Sequence, residues 1–269
     1  MTQDSSRPLE RYLSLLEVVA AAHRALSLTE ITLAMDLPKP TVHRLVGALM
    51  EAGALEAEGT HSKTYKIGSR FRRLLMLGQD TRVVHNYAQL VCDELAQKLR
   101  ETAYIVRLEH DSARTLTLSV PDQGYRLHVI PGADLPAHAA ATARAMLAHQ
   151  PAEVQQRVLR EPFQKLTNRT RTKMEDVLRG FEQVRRQGYA VCDREIDPNV
   201  RAYAFPVHLP DVGVIYSVGV TGPCSRLNTQ PASYWTQALQ EAAQRFASLL
   251  GTLATGAATA PAKRSRRAD

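Results

Sequence analysis

Cysteine is scarce and poorly placed for cross-linking. Cys92, Cys192 and Cys224 are odd in number and far apart, and no Cys-x-x-Cys occurs. That argues against a disulfide framework and against a structural zinc site, so the three read as ordinary reduced thiols. Aromatic residues make up only 6% of the 269 residues, and aliphatic side chains must therefore fill the cores. No apolar run approaches the ~18 residues that a membrane span needs. The polar start, Met1 to Ser6, lacks the apolar stretch of a signal peptide, and a cytoplasmic location is expected. The nine histidines are scattered and never fall at His-x-x-x-His spacing, so neither a metal nor a cofactor is expected. Asn168-Arg169-Thr170 fits a glycosylation pattern, which carries no meaning without secretion.

What the chain does have is positive charge. Its formal net charge is +7, suited to a polyanionic partner. The surplus is spread, at +1 over residues 1–80, +3 over 81–255 and +3 over the last fourteen. Bulk charge therefore does not single out a nucleic-acid-binding part. Locally it does: residues 39–73 hold Lys39, Arg44, Lys63, Lys66, Arg70, Arg72 and Arg73 against Glu51, Glu56 and Glu58.

Hydrophobic periodicity divides the chain. Arg7 to Ala22 repeats apolar residues at helical spacing (Leu9, Tyr12, Leu13, Leu16, Val19). A short second helix, capped by Ser27 or Thr29, buries Ile31, Ala34 and Met35. Pro38 disfavours the helical conformation at Leu37, and Pro40 suits the first turn of a third helix. That helix carries Val42, Leu45, Val46 and Leu49 on one face and stops near Gly53. Ala54 to Glu58 and Thr64 to Ile67 then read as a β-hairpin turning through Gly59 to Lys63. A helical stretch from Gly68, with Phe71, Leu74, Leu75 and Leu77, reads as a linker. Another helix runs from Val83 to Arg100.

Beyond Arg100 the period changes to two. Ala103 to Glu109, Thr115 to Val120 and Tyr125 to Ile130 read as strands. An Ala-rich helix follows (Ala139 to His149), then helices at Ala152 to Leu159 and Met174 to Gln187, the latter stopped by Gly188. Strands return at Tyr189 to Cys192, Ala202 to His208 and Val214 to Val220, and a helix from Pro231 to Leu253 closes the fold. The expected organisation is α+β in two domains. Residues 1–69 form a winged helix-turn-helix, 70–81 a linker helix, 82–254 an α/β domain, and 255–269 a disordered basic tail.

Helices two and three with the hairpin fit a helix-turn-helix and wing. The major groove admits one α-helix and offers a distinctive donor and acceptor pattern. A recognition helix must be apolar behind, to stay fixed, and polar in front near its N-terminus. Val42 and its apolar neighbours supply the back; Lys39, Thr41, His43 and Arg44 supply the front. Lys63 and Tyr65 on the wing can grip phosphate or the minor groove. The DNA-binding set is thus Lys39, Thr41, Val42, His43, Arg44, Lys63 and Tyr65, and the partner is double-stranded promoter DNA.

These residues also carry a family resemblance. Leu28-Thr29-Glu30-Ile31 through Leu37-Pro38-Lys39-Pro40-Thr41-Val42-His43-Arg44-Leu45 resembles the DNA-binding domain of the IclR (isocitrate lyase regulator) family, and Tyr65-Lys66-Ile67-Gly68 resembles its wing exit. Leu135 to Ala145, Gly188 to Glu195, Val200-Arg201-Ala202 and Ser217 to Pro223 resemble its C-terminal half. The resemblance covers about residues 7 to 253. It implies a GAF-like effector domain, homodimers that often pair into tetramers, and regulation of a catabolic operon in response to a small organic or aromatic acid. It carries the effector pocket onto Leu127, Leu135, Ala140, Ala141, Thr142, Asp193, Ala202, Tyr203, Gly219 and Thr221. The family's usual Ser-Gly or Thr-Gly pair is Ala140-Ala141 here, and a usual Ser is Gly219. Fewer hydroxyls imply a less polar pocket, leaning towards an aromatic or larger carboxylate, with the helix start offering N–H groups to an anion.

Enzyme readings are weaker. Ser217-Val218-Gly219 supplies half of a Gly-x-Ser-x-Gly elbow, but Ile215 stands where the first Gly is needed. Asp193 and Glu195, two apart on one side of a strand, are a candidate carboxylate pair. A small-molecule-processing enzyme with an appended DNA-binding domain, and a DNA-binding protein without a ligand, remain as alternatives.

Overall fold

The computed structural model describes residues 8–22, 24–59, 63–78, 81–121 and 132–256. The expected strand Tyr125 to Ile130, pocket residue Leu127, the tip of the wing and the basic tail from 257 lie outside the described residues. The chain divides into two compact units, Met1–Gln79 with Pro210–Gly213, and Asp80–Leu209 with Val214–Asp269.

In the first unit, α1 (Pro8–Ala21), α2 (Leu28–Met35) and α3 (Lys39–Glu51) pack around Leu15, Leu16, Val19, Ile31, Val42, Leu45, Val46 and Leu49. Ser27 caps α2. Its Oγ accepts from Glu30 N at 3.3 Å, and Glu30 Oε2 accepts from Ser27 N at 2.8 Å, a capping box. Asp36 ends α2 in the left-handed conformation with φ 50°. Pro38 then caps α3, with Pro40 in its first turn. The wing is a three-stranded sheet in the order β1 (Leu26–Ser27), β3 (Thr64–Ile67), β2 (Leu55–Glu58). The two-residue β1, absent from the periodicity reading, is too short to show a period. Gly53 has φ 67°, and Gly68 comes so close that a Cβ there would sit 2.3 Å from Gly53 O. This crossing of two backbones fixes the exit from the wing into α4 (Ser69–Leu77).

The second unit has three layers. The central sheet runs β5 (Ala113–Ser119), β4 (Thr102–Leu108), β8 (Gly213–Pro223), β7 (Val200–Leu209), β6 (Ala190–Asp193). One face carries α5 (Thr81–Leu99) and α10 (Ala232–Gly256), with Tyr216 packed edge-on to Phe246 and Tyr203 stacked on Trp235. The other carries α6 (Ala141–Leu147) and α8 (Met174–Gln187), with α7 (Ala152–Val158) between them in sequence. All seven residues of α6 are buried. Its alanines let it lie directly on the sheet, where bulkier side chains would hold it off. Gly188, φ 85°, ends α8. A one-turn helix, α9 (Cys224–Leu227), links β8 to α10 and is too short to register as a helical period.

Candidate functional site

In the first unit α3 presents two faces. Val42, Leu45, Val46 and Leu49 are buried, whereas Lys39, His43 and Arg44 are exposed and make no hydrogen bond or ion pair among the described residues. Thr41 is half-buried at the helix start, its N–H donating to Pro38 O at 2.8 Å. Val42, included in the expected DNA-binding set, is fully buried. It anchors the helix from behind and has no path to a base edge, because it lies one residue away from the exposed His43 on a 3.6-residue repeat. Tyr65 is half-buried against the same core, pairing with Ala57 and Leu26. Lys63 is exposed.

The local basic excess is thinner than the sequence count. Lys66 pairs with Glu58, Arg70 donates to Ala52 O at 3.0 Å, and Arg72 pairs with Glu56 at 3.4 Å and donates to Ile67 O. These three hold the wing and its exit together. Lys39 and Arg44 on the helix and Lys63 on the wing stay exposed for a partner.

In the second unit, β4, β8 and the start of α6 converge. Tyr104 lies opposite Gly219 in the register between β4 and β8. A Cβ on Gly219 would sit 2.7 Å from Thr142 Cγ2 and 2.9 Å from the Tyr104 ring. Gly219 therefore faces α6, and Thr221, two residues on, shares that face. Ser217 Oγ donates to Thr142 O at 2.9 Å and pins the helix start to the sheet. Thr142 Oγ1 is fully buried and has no well-formed hydrogen bond. Burial raises the Tyr104 pKa, and the neighbouring Thr142 hydroxyl opposes only part of that rise. Ala140, Ala141, Ala202 and Leu135 belong to the same cluster, and Thr221 Oγ1 donates to Arg201 O at 3.3 Å.

Two expected pocket residues do not join them. Tyr203 follows Ala202, and consecutive strand residues point to opposite faces. Ala202 meets α6, while Tyr203 stacks on Trp235 of α10 with ring centroids 6.4 Å apart. Asp193 follows core-facing Cys192 for the same reason. Three guanidiniums hold it: Arg169 at 2.6 Å, Arg201 at 2.8 Å and Arg194 at 3.6 Å. Partial burial pushes its pKa up, but Arg201, Arg169 and Arg194 outweigh this and hold it below the ordinary value.

Nor do Asp193 and Glu195 form a pair. The strand ends at Asp193, and Arg194 takes the left-handed conformation with φ 62°, which breaks the alternation. Glu195 turns inward to Arg144 of α6, which donates from Nη1 at 3.1 Å and reaches Glu195 from Nη2 at 2.9 Å; Arg144 Nη2 also donates to Val191 O. Both carboxylates are thus committed to guanidiniums. This buried pair had no periodic signal. Its clue in the sequence was a lone Arg inside an otherwise apolar helix.

Comparison with known proteins follows this division. Residues 8–59 match the family described as IclR helix-turn-helix domain, and residues 79–248 match Bacterial transcriptional regulator IclR C-terminal. The chain belongs to the IclR family. It is similar to the glycerol operon regulatory protein of Streptomyces griseus, with 30% identity over 90% of this chain and 96% of that one. It is also similar to the HTH-type transcriptional regulator BhcR of Paracoccus denitrificans, with 27% identity over 89% and 86%. A solved IclR homolog from Microbacterium hydrocarbonoxydans, complexed with 4-hydroxybenzoate, shares the fold with TM-score 0.58 and 24% identity, covering 91% of this chain and 99% of that one. The protein is a DNA-binding transcriptional regulator with an N-terminal helix-turn-helix and a C-terminal α/β effector domain.

Proposed function

We propose that this IclR regulator senses a small organic acid, an aromatic carboxylate in particular, and thereby controls a catabolic operon. The acid binds among Tyr104 of β4, Gly219 and Thr221 of β8, and Ala140 to Thr142 at the start of α6. The observation that carries this reading is the Thr142 hydroxyl, which is buried with only the Tyr104 phenol beside it to answer it. Buried hydroxyls are normally satisfied, and those left open mark strain, a water or a ligand. Apart from Tyr104, the residues around it, Ala140, Ala141 and Gly219, are small and bear no hydroxyl, which favours a flat apolar body over a compact polar one. The 4-hydroxybenzoate held by the Microbacterium homolog supports the same class.

Lys39, Thr41, His43 and Arg44 contact the operator, with Lys63 and Tyr65 on the flank. The protein acts in the cytoplasm as a homodimer or a pair of dimers, so its operator is a pseudo-palindrome. A thermal-shift screen across aliphatic and aromatic acids tests the sensing role. A ligand that binds only the folded state stabilises it by RT ln(1 + [L]/Kd). One acid class should raise the melting temperature, and Thr142→Val should shrink that rise. A panel in which no acid raises it would remove the sensing role and leave DNA binding alone.

A further inference from the structure

The chain belongs to a DNA-binding family, yet its helix-turn-helix unit is close to neutral as a whole. Residues 1–80 carry ten Lys and Arg against nine Asp and Glu, a net of +1. A nucleic-acid-binding domain ordinarily leaves its electrostatic footprint as a basic excess. Several of these cations are engaged by carboxylates of the same unit: Arg24 by Glu30 at 2.6 Å, Arg72 by Glu56 at 3.4 Å, and Lys66 by Glu58. Lys39, Arg44 and Lys63 are exposed. The densest positive charge lies elsewhere. Lys263-Arg264-Ser265-Arg266-Arg267 puts four cations into five residues, beyond the end of α10 at Gly256. Residues 256–269 hold these four and one acid, Asp269, a net of +3. The same stretch has no aromatic side chain and no aliphatic one larger than proline.

We infer that Lys263, Arg264, Arg266 and Arg267 form a second DNA-binding element, which grips the phosphate backbone of duplex DNA without reading its bases. Adjacent cations neutralise phosphates and release the condensed counter-ions whatever the base sequence. Base readout asks for more: a recognition element fixed from behind by apolar residues and seated in a groove. This run has no apolar residue to fix it. The labour is divided, with α3 supplying specificity and the basic run supplying affinity. A membrane surface also attracts basic runs, but stable attachment takes a second, apolar signal, which residues 256–269 lack. DNA has the further advantage of already being held by the helix-turn-helix. A second element of the same chain then meets it at raised effective concentration. The inference rests on the family's DNA-binding role and stands apart from the organic-acid reading.

The probes are a mixed-sequence DNA duplex and DNA from upstream of the protein's own gene. Binding of the full-length protein is measured across a salt series of roughly 50 to 200 mM. One variant carries Lys263→Gln, Arg264→Gln, Arg266→Gln and Arg267→Gln together. A second keeps the charge with Arg264→Lys, Arg266→Lys and Arg267→Lys. The glutamine variant should bind the mixed duplex about ten-fold or more weakly at the lowest salt, and its log–log salt slope should be shallower by up to about 3.6 for each run that engages. Promoter DNA should lose the same factor, leaving the preference for it unchanged. The lysine variant should keep the wild-type slope, because a phosphate contact needs the charge. All four positions lie beyond α10, so both variants should melt as wild type does, which separates lost charge from lost fold. An unchanged slope in the glutamine variant, a loss confined to promoter DNA, or an equal loss in the lysine variant would overturn the inference. So would wild-type DNA binding in a glutamine variant that no longer binds phosphatidylserine vesicles, which would assign the run to a membrane.

Discussion

Arg144 and Glu195 form an ion pair at 2.9 Å with side chains 2% and 6% exposed, joining the middle of α6 to the segment just beyond β6. Breaking a buried pair by removing one partner leaves an uncompensated charge, whereas replacing both removes the penalty. Glu195→Ala should therefore cost about 3–5 kcal/mol in urea unfolding. The double variant Arg144→Met, Glu195→Leu should be more stable than Glu195→Ala alone. Additive losses across the cycle of Arg144→Met, Glu195→Leu and their double variant would show that the two side chains do not act as a pair.

At Gly219 the sheet comes close against α6. Gly219→Ala places a Cβ 2.7 Å from Thr142 Cγ2 and 2.9 Å from the Tyr104 ring. Overpacking of this kind costs about 1–3 kcal/mol, measured by denaturant unfolding of the full chain. The same variant should weaken binding of the acid found in the thermal-shift screen, because the displaced Thr142 and Tyr104 move into its space. Unchanged stability and affinity would mean that Gly219 does not face α6.

The capping box gives the first unit an acid-sensitive element. The Arg24 side chain, 2.6 Å away, and then the Ser27 backbone and hydroxyl hold Glu30 down to about 2, against an ordinary 4.5. A carboxylate with a depressed folded-state pKa stabilises fully above its unfolded value and loses that contribution as pH falls through the folded one. Glu30→Gln should melt lower than wild type at pH 7. The gap should close progressively between pH 4.5 and about 2. A gap independent of pH would assign the effect to packing.

Arg44→Ala removes an exposed, unpaired cation from the front of α3 and leaves the buried back intact. Operator affinity should fall by roughly ten-fold or more, as for a base-contacting arginine worth about 1–3 kcal/mol. Acid affinity should stay the same. Lys63→Ala should instead lower affinity evenly across DNA sequences and flatten the salt dependence, as a phosphate contact does. Equal loss of acid and DNA binding in Arg44→Ala would contradict the separation of roles.

Much of this architecture is legible in the sequence, and where it departs from that pattern the cause is physical. The limits of α8 follow from its amphipathic repeat and from Gly188, and the structure places the helix at Met174–Gln187. Pro38 and Pro40 locate the start of α3 because proline constrains the backbone on both sides. The two-residue β1 and the four-residue α9 are shorter than one period of the pattern that would reveal them. Between β8 and the start of α6, Ala140 to Thr142, Ala202, Gly219 and Thr221 come together. Tyr203 is lost to strand alternation, and Asp193 to its three guanidiniums. Glu195, expected beside Asp193 on one side of a strand, turns inward because Arg194 enters the left-handed region, a local choice that periodicity does not record. Tyr104, a wall of the same cluster, reads in the sequence as one more strand residue and gains its role only from its register with Gly219.

The most direct test of ligand-responsive control is a gel-shift titration with the full-length protein. It uses DNA from upstream of its own and adjacent genes, with and without each acid of an aliphatic and aromatic panel. The account predicts specific, salt-sensitive retardation that one acid class, most strongly an aromatic carboxylate, strengthens or releases, and that Thr142→Val makes less responsive. Specific binding that no acid alters would contradict the sensing role.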